Sequence, residues 1–92
     1  MTVSADTVEH VELRSGAYAD SVALLQVSKD VASVDGVLAA QVAMATELNI
    51  DVIQGMGFTV PEATGHDMIV ALRPTSSDRI EAALAAVDRA IE

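Results

Sequence analysis

The chain has 92 residues, the size of one small domain. Fourteen acidic against five basic residues leave a net charge of −9 and an isoelectric point near 4.3, which excludes a nucleic-acid binder that works by neutralising phosphates. Hydrophobic residues make up 51% of the chain, too many for disorder, and the lack of cysteine rules out a disulfide frame, a thiol nucleophile or a thiolate metal site.

Val11 and Leu13 alternate with His10, Glu12 and Arg14, the period of a strand with one apolar and one polar face. Ser15-Gly16-Ala17 makes a turn. Asp20 or Ser21 then caps a helix running to about Val34, with Leu24, Val27, Val31 and Val34 on one stripe. Asp35-Gly36 stops that helix. Val37 to Ala45 reads as a second strand, apolar on both faces and so expected at the centre of the sheet. Thr46 caps a short helix from Glu47 to about Met56, expected to be buried through Leu48, Val52 and Ile53. Gly55, Gly57, Pro61 and Gly65 turn the next residues into a loop, and Met68 to Leu72 is a third strand ended by Arg73-Pro74. In the last helix Ile80, Leu84, Val87 and Ile91 share a face, Ala83 and Ala90 fill the gaps, and Asp78 with Glu81 marks the start.

The expected fold is therefore α/β or α+β, a β-α-β-α-β-α sandwich with a three-stranded sheet and its helices mainly on one face. Residues 1–7 are expected to form a flexible N-terminus ahead of a single domain over residues 8–92. The open face of the sheet would carry His10, Glu12 and Arg14, then Ala39, Gln41 and Ala43, then Ile69, Ala71 and Arg73. Small apolar residues inside a charged rim suit a second layer, so Ala39, Gln41, Ala43, Ile69 and Ala71 are expected to be an assembly interface. The N-terminus has no basic region leading into an apolar run, and the stretch Val37 to Ala45 is far short of the roughly 20 residues a bilayer needs. A cytoplasmic protein with neither membrane nor nucleic-acid partner is expected.

Catalytic chemistry is hard to find. His10 and His66 are the only histidines and neither has metal-ligand spacing. His66-Asp67 is the one acid–base candidate, and no serine sits in a nucleophile elbow. Gly55-Met56-Gly57 lacks the Lys-Ser/Thr of a phosphate loop and reads as a helix stop. No catalytic residue, metal or cofactor is expected. If all three strands run parallel, Arg14 and Ser15, then Thr46 with Asn49, then Arg73 gather beside helix N-termini, where an anion would bind. The alternative makes Thr46, Asp20 and Ser77 plain caps and pairs the arginines with nearby acids. Tyr18, Asp20, Ser21, Thr46 and Asn49 are a second candidate lining, against which Asp20, Ser21 and Thr46 are caps and Tyr18 is packing.

The run Gly16-Ala17-Tyr18-Ala19-Asp20-Ser21-Val22-Ala23-Leu24-Leu25-Gln26-Val27-Ser28 resembles the start of the FdrA family, with Gly16, Tyr18, Asp20 and Ser21 as its motif positions. The likeness continues at Gly36-Val37, at Met44-Ala45-Thr46-Glu47-Leu48-Asn49 and at Asp67-Met68-Ile69-Val70-Ala71-Leu72-Arg73, covering Val8 to Glu92. That family is similar to the α-subunit of succinyl-CoA synthetase, and some members are associated with oxamate carbamoyltransferase chemistry in purine degradation. The resemblance covers only an N-terminal module, ahead of the CoA-binding and ligase-like domains. It implies a non-catalytic accessory subunit or assembly domain of an acyl-CoA synthetase-like or carbamoyltransferase complex, whose partner is a larger subunit of that type or another copy of itself. The other readings are a free-standing ACT-like sensor that binds a small anion and homo-oligomerises, and a small enzyme relying on His66-Asp67.

Overall fold

The computed structural model describes residues 8–91; the expected flexible segment 1–7 lies outside the described residues. Strand β1 (His10–Ser15) leads into helix α1 (Ser21–Ala32), followed by β2 (Val37–Met44), α2 (Glu47–Gly55), β3 (Asp67–Pro74), a 3₁₀ turn (Ser77–Arg79) and α3 (Ile80–Ile91). The expected caps are in place. Asp20 accepts from the Ala23 N–H at 2.8 Å and Thr46 from the Asn49 N–H at 3.2 Å. Helix α1 ends two residues before Val34, and Gly36 follows in the left-handed region at φ 91°.

The sheet order is β1-β3-β2, and β3 is antiparallel to both neighbours. This corrects two expectations. The central strand is β3, not β2, because the run Met68–Leu72 is buried throughout while β2 carries the half-buried Gln41. The strands are not all parallel, because α2 does not act as a crossover. Nine residues of α2 carry the chain about 13 Å along the sheet, and the loop of residues 56–66 brings it back to the edge it left. There Asp67 receives the Ala45 N–H and His66 receives the Gly16 N–H. β1 and β2 thus run parallel to each other with β3 inserted between them, a split β-α-β unit.

The register assigns the two faces. Glu12 lies beside Val70 and Val70 beside Val42, and this face packs under α1 and α3 through Leu24, Val27, Val31, Ala83, Ala86 and Val87. The stripe read from the sequence for α1 supplies its contacts; in α3 Val87 and Ala83 do so with Ala86, which the sequence did not single out, while Ile91 of the expected stripe is exposed. The opposite face pairs Val11 with Ala71 and Leu13 with Ile69, and Ile53 and Phe58 close over it.

The face expected to be an interface is therefore internal. Ile69 and Ala71 are 0% exposed, Ala43 is buried, and Ala39 packs against the same cluster. Gln41 shares their parity but sits half-buried at the sheet edge. His10, Glu12 and Arg14 belong to the other face, as the Arg14–Asp88 ion pair to α3 shows. A period of two separates the two faces of a strand without saying which one meets which layer. Helix α2 likewise turns differently from expectation. Ile53 is buried and Ile50 half-buried, while Leu48 is 72% exposed and Val52 is also exposed.

Candidate functional site

Two of the motif segments, Gly16–Ser28 and Met44–Asn49, meet at the outer edge of β2. The β1–α1 connection and the first turns of α1 contribute Tyr18, Ser21, Val22 and Leu25; β2 contributes Gln41 and Met44, and the start of α2 Thr46 and Asn49. Together they line an open cleft of about 560 Å³, within the size range of small-molecule sites. The side chains lining it are apolar or neutral polar, with none charged among the described residues. Its rim is unusually apolar for a surface. Tyr18 is 78% and Val22 77% exposed, and Leu25 is exposed as well.

The cleft is held in shape by hydrogen bonds that also finish the sheet edge. The ladder bond from Ala45 to Asp67 means that Met44 and Val42 turn their backbone groups away from β3. The Met44 carbonyl accepts from Asn49 Nδ2 at 2.9 Å. The Val42 N–H donates to the Ser28 hydroxyl at 2.8 Å, and that hydroxyl donates to the Leu24 carbonyl at 2.9 Å, with the Val42 carbonyl 3.2 Å away. Ser28 is the buried polar residue of the core, 5% exposed. Of the five residues Tyr18, Asp20, Ser21, Thr46 and Asn49 that the sequence offers as a candidate lining, Tyr18, Ser21, Thr46 and Asn49 border the cleft, while Asp20 is not among its lining residues and caps α1. Sequence reading missed Val22 and Leu25, whose signal was two apolar residues lying off the buried stripe of α1.

The five-residue anion site is not assembled. Arg14 pairs with Met68 of β3 and Arg73 with Ala39 of β2, so the two arginines stand about 17 Å apart along β3, at opposite ends of the sheet. Arg14 donates to Glu12 at 3.0 Å and reaches Asp88 at 2.8 Å. Arg73 donates to the Met56 carbonyl at 3.2 Å, lies over the Phe58 ring at 4.4 Å and faces Glu9 at 3.8 Å. These contacts clasp the loop after α2. Ser15 is exposed at the end of β1. Burial of Glu12 pushes its carboxyl up, but hydrogen bonds from His10 and Arg14 and their charges outweigh that and hold it below the ordinary carboxylate range. The His66-Asp67 pair is not assembled as an acid–base pair either. Asp67 accepts from the Thr64 N–H at 3.0 Å, and the exposed His66 receives the Gly16 N–H on its carbonyl.

The chain is thus a small antiparallel α/β domain with a split β-α-β core. Residues 2–92 match the model of the family described as "AllF, heavy metal-associated domain", and the chain belongs to that family. It is also 35% identical over 69 residues to the uncharacterized protein YahF of Escherichia coli (strain K12). That alignment takes in 72% of this chain and 13% of YahF, so the chain spans a small part of a much longer relative. No solved structure matches. The donor set of this chain does not fit the heavy metal of the family's description. A soft ion calls for thiolates or clustered imidazoles, and the sequence has no cysteine and two histidines. Among the described residues no three His, Asp or Glu side chains come together, and the carboxylate in the β1–α1 connection, Asp20, is spent on capping α1.

Proposed function

We propose that this domain is a non-catalytic docking module that joins a larger FdrA-type subunit, acyl-CoA synthetase-like or carbamoyltransferase-like, through the cleft between α1 and α2. The observation that carries the reading is the convergence of two separate motif segments on one apolar, uncharged cleft whose rim is exposed Tyr18, Val22 and Leu25. Aromatic and aliphatic side chains of this kind, exposed around a concavity, form the anchors of protein interfaces. Membership of the AllF-type domain family supports an accessory role in an allantoin-related pathway, and the much longer relative supports work beside a larger partner. Both arginines of the anion-sensor reading are committed to internal contacts, which leaves the docking reading ahead.

The test is native mass spectrometry of the tagged chain drawn gently from its own cells, alongside Val22→Asp. Co-purification with a larger ligase-like or carbamoyltransferase-like chain at fixed stoichiometry is expected, and Val22→Asp should lose it with an unchanged melting temperature. Val22 is exposed, so a charge there costs the fold little. Retention of the partner by Val22→Asp, or recovery of the wild-type chain without any larger protein, overturns the reading.

A further inference from the structure

The two outer edges of the sheet are treated differently. On β2 the outward backbone groups of Val42 and Met44 are occupied by Ser28 and Asn49. On β1 they are not. The Gly16 N–H continues the β3 ladder to His66, so Arg14, Glu12 and His10 bond to β3, while Val11, Leu13 and Ser15 direct N–H and C=O outward. No described residue bonds to those outward groups. An edge of this kind, with no bulge or proline, is a template for another strand.

We propose that this edge pairs with β1 of a second copy of the chain, antiparallel about a two-fold axis, to give a continuous six-stranded sheet. Charge decides the register. The outward groups must meet each other, which leaves two registers with long overlap, over residues 11–15 or over residues 10–14. The second sets Glu12 against Glu12 of the second copy, and like charges directly opposite are unfavourable. The first sets Glu12 against Arg14 of the second copy, and Arg14 against its Glu12. Each copy already holds its own Glu12 and Arg14 in contact at 3.0 Å on that face, so pairing extends two ion pairs into one network of four charges. On the opposite face Leu13 meets Leu13 across the axis, beside the cluster of Ile69 and Phe58 that it already joins. An isologous contact of this form closes after two copies. It leaves both β2 edges, and so both clefts, at the far ends of the dimer.

The test is the mass in solution by native mass spectrometry and light scattering. The wild-type chain should run at twice its 9.6 kDa. Glu12→Arg and Arg14→Glu should each give monomers, because each sets like charges opposite one another. Mixing the two variants should restore a heterodimer of distinguishable mass, since the two arginines of the first variant's strand then face the two glutamates of the other's. Ser15→Pro, at an exposed residue, removes one outward N–H without touching the ladder to β3 and should also give a monomer. Circular dichroism shows that each variant is folded. A monomeric wild type at high micromolar concentration, single variants that remain dimeric, or a mixture that stays monomeric overturns the proposal. None of these substitutions touches the cleft, so the docking reading stands or falls separately.

Discussion

Replacing Ser28 with alanine removes a single oxygen and leaves a buried donor without a partner. The Val42 N–H, whose residue is 1% exposed, donates to Ser28 Oγ at 2.8 Å and has no β3 carbonyl on that side. A buried amide deprived of its acceptor costs about 1–3 kcal/mol. Alanine returns about 0.5 kcal/mol through its better helix propensity in the interior of α1, so the net loss is roughly 0.5–2.5 kcal/mol. For a chain of this length each kcal/mol lowers Tm by about 4–8 °C. Thermal and urea unfolding should therefore show a drop of several degrees or more with an unchanged urea slope. Hydrogen exchange should show faster exchange at the Val42 amide than at its inward neighbour Ala43. Ser33→Ala, which removes an exposed hydroxyl bonded only to the Asp30 carbonyl, controls for the loss of a serine near the same helix. A change below about 0.5 kcal/mol, within the ordinary range for surface substitutions, together with a Val42 amide as protected as before, would refute the role given to Ser28.

Two further outcomes follow from the ion pairs. Arg73→Met keeps the aliphatic stem over Phe58 but loses the hydrogen bond to the Met56 carbonyl and the cation–π contact at 4.4 Å; a loss of about 1–3 kcal/mol in urea unfolding is expected. In the same experiment phosphate should not raise the Tm of the wild type, and an increase abolished by Arg73→Met would reinstate the anion site. The Glu12 carboxyl is held below the ordinary carboxylate range in the folded chain, so its contribution to stability is present above that range and is lost as pH falls through the lowered value. In dilute solution Glu12→Gln should be less stable than wild type at neutral pH, and the gap should close as pH falls below the ordinary carboxylate range and through the lowered value; a gap constant with pH would show that the carboxylate charge is not what matters.

Much of the fold was legible along the chain because it depends on local rules. The stripe of Leu24, Val27 and Val31 and the caps at Asp20 and Thr46 are matters of helical spacing and of orphan N–H groups, and each can be read within a turn of itself. The alternation of Val11 and Leu13 likewise marks a strand without reference to its neighbours. Part of the cleft was readable in the same way, since Tyr18, Ser21, Thr46 and Asn49 sit beside helix starts that the caps locate.

Tertiary structure decided everything that depends on where the segments meet. The return of the chain through residues 56–66 set β3 antiparallel, and that single reversal moved Arg73 to the far end from Arg14 and disbanded the anion site. The strand register chose the face of each residue, covering Ile69 and Ala71 with Ile53 and Phe58 and turning Arg14 toward Asp88. On the short helix α2, Leu48, Ile50, Val52 and Ile53 offered competing apolar faces, and only contact with the sheet selected Ile53 and left Leu48 exposed. Composition and periodicity determined which segments are helix and strand and that no thiolate chemistry is possible. Direction, register and face are relations between segments far apart in the chain, and they are settled by the burial and hydrogen bonding of the assembled whole.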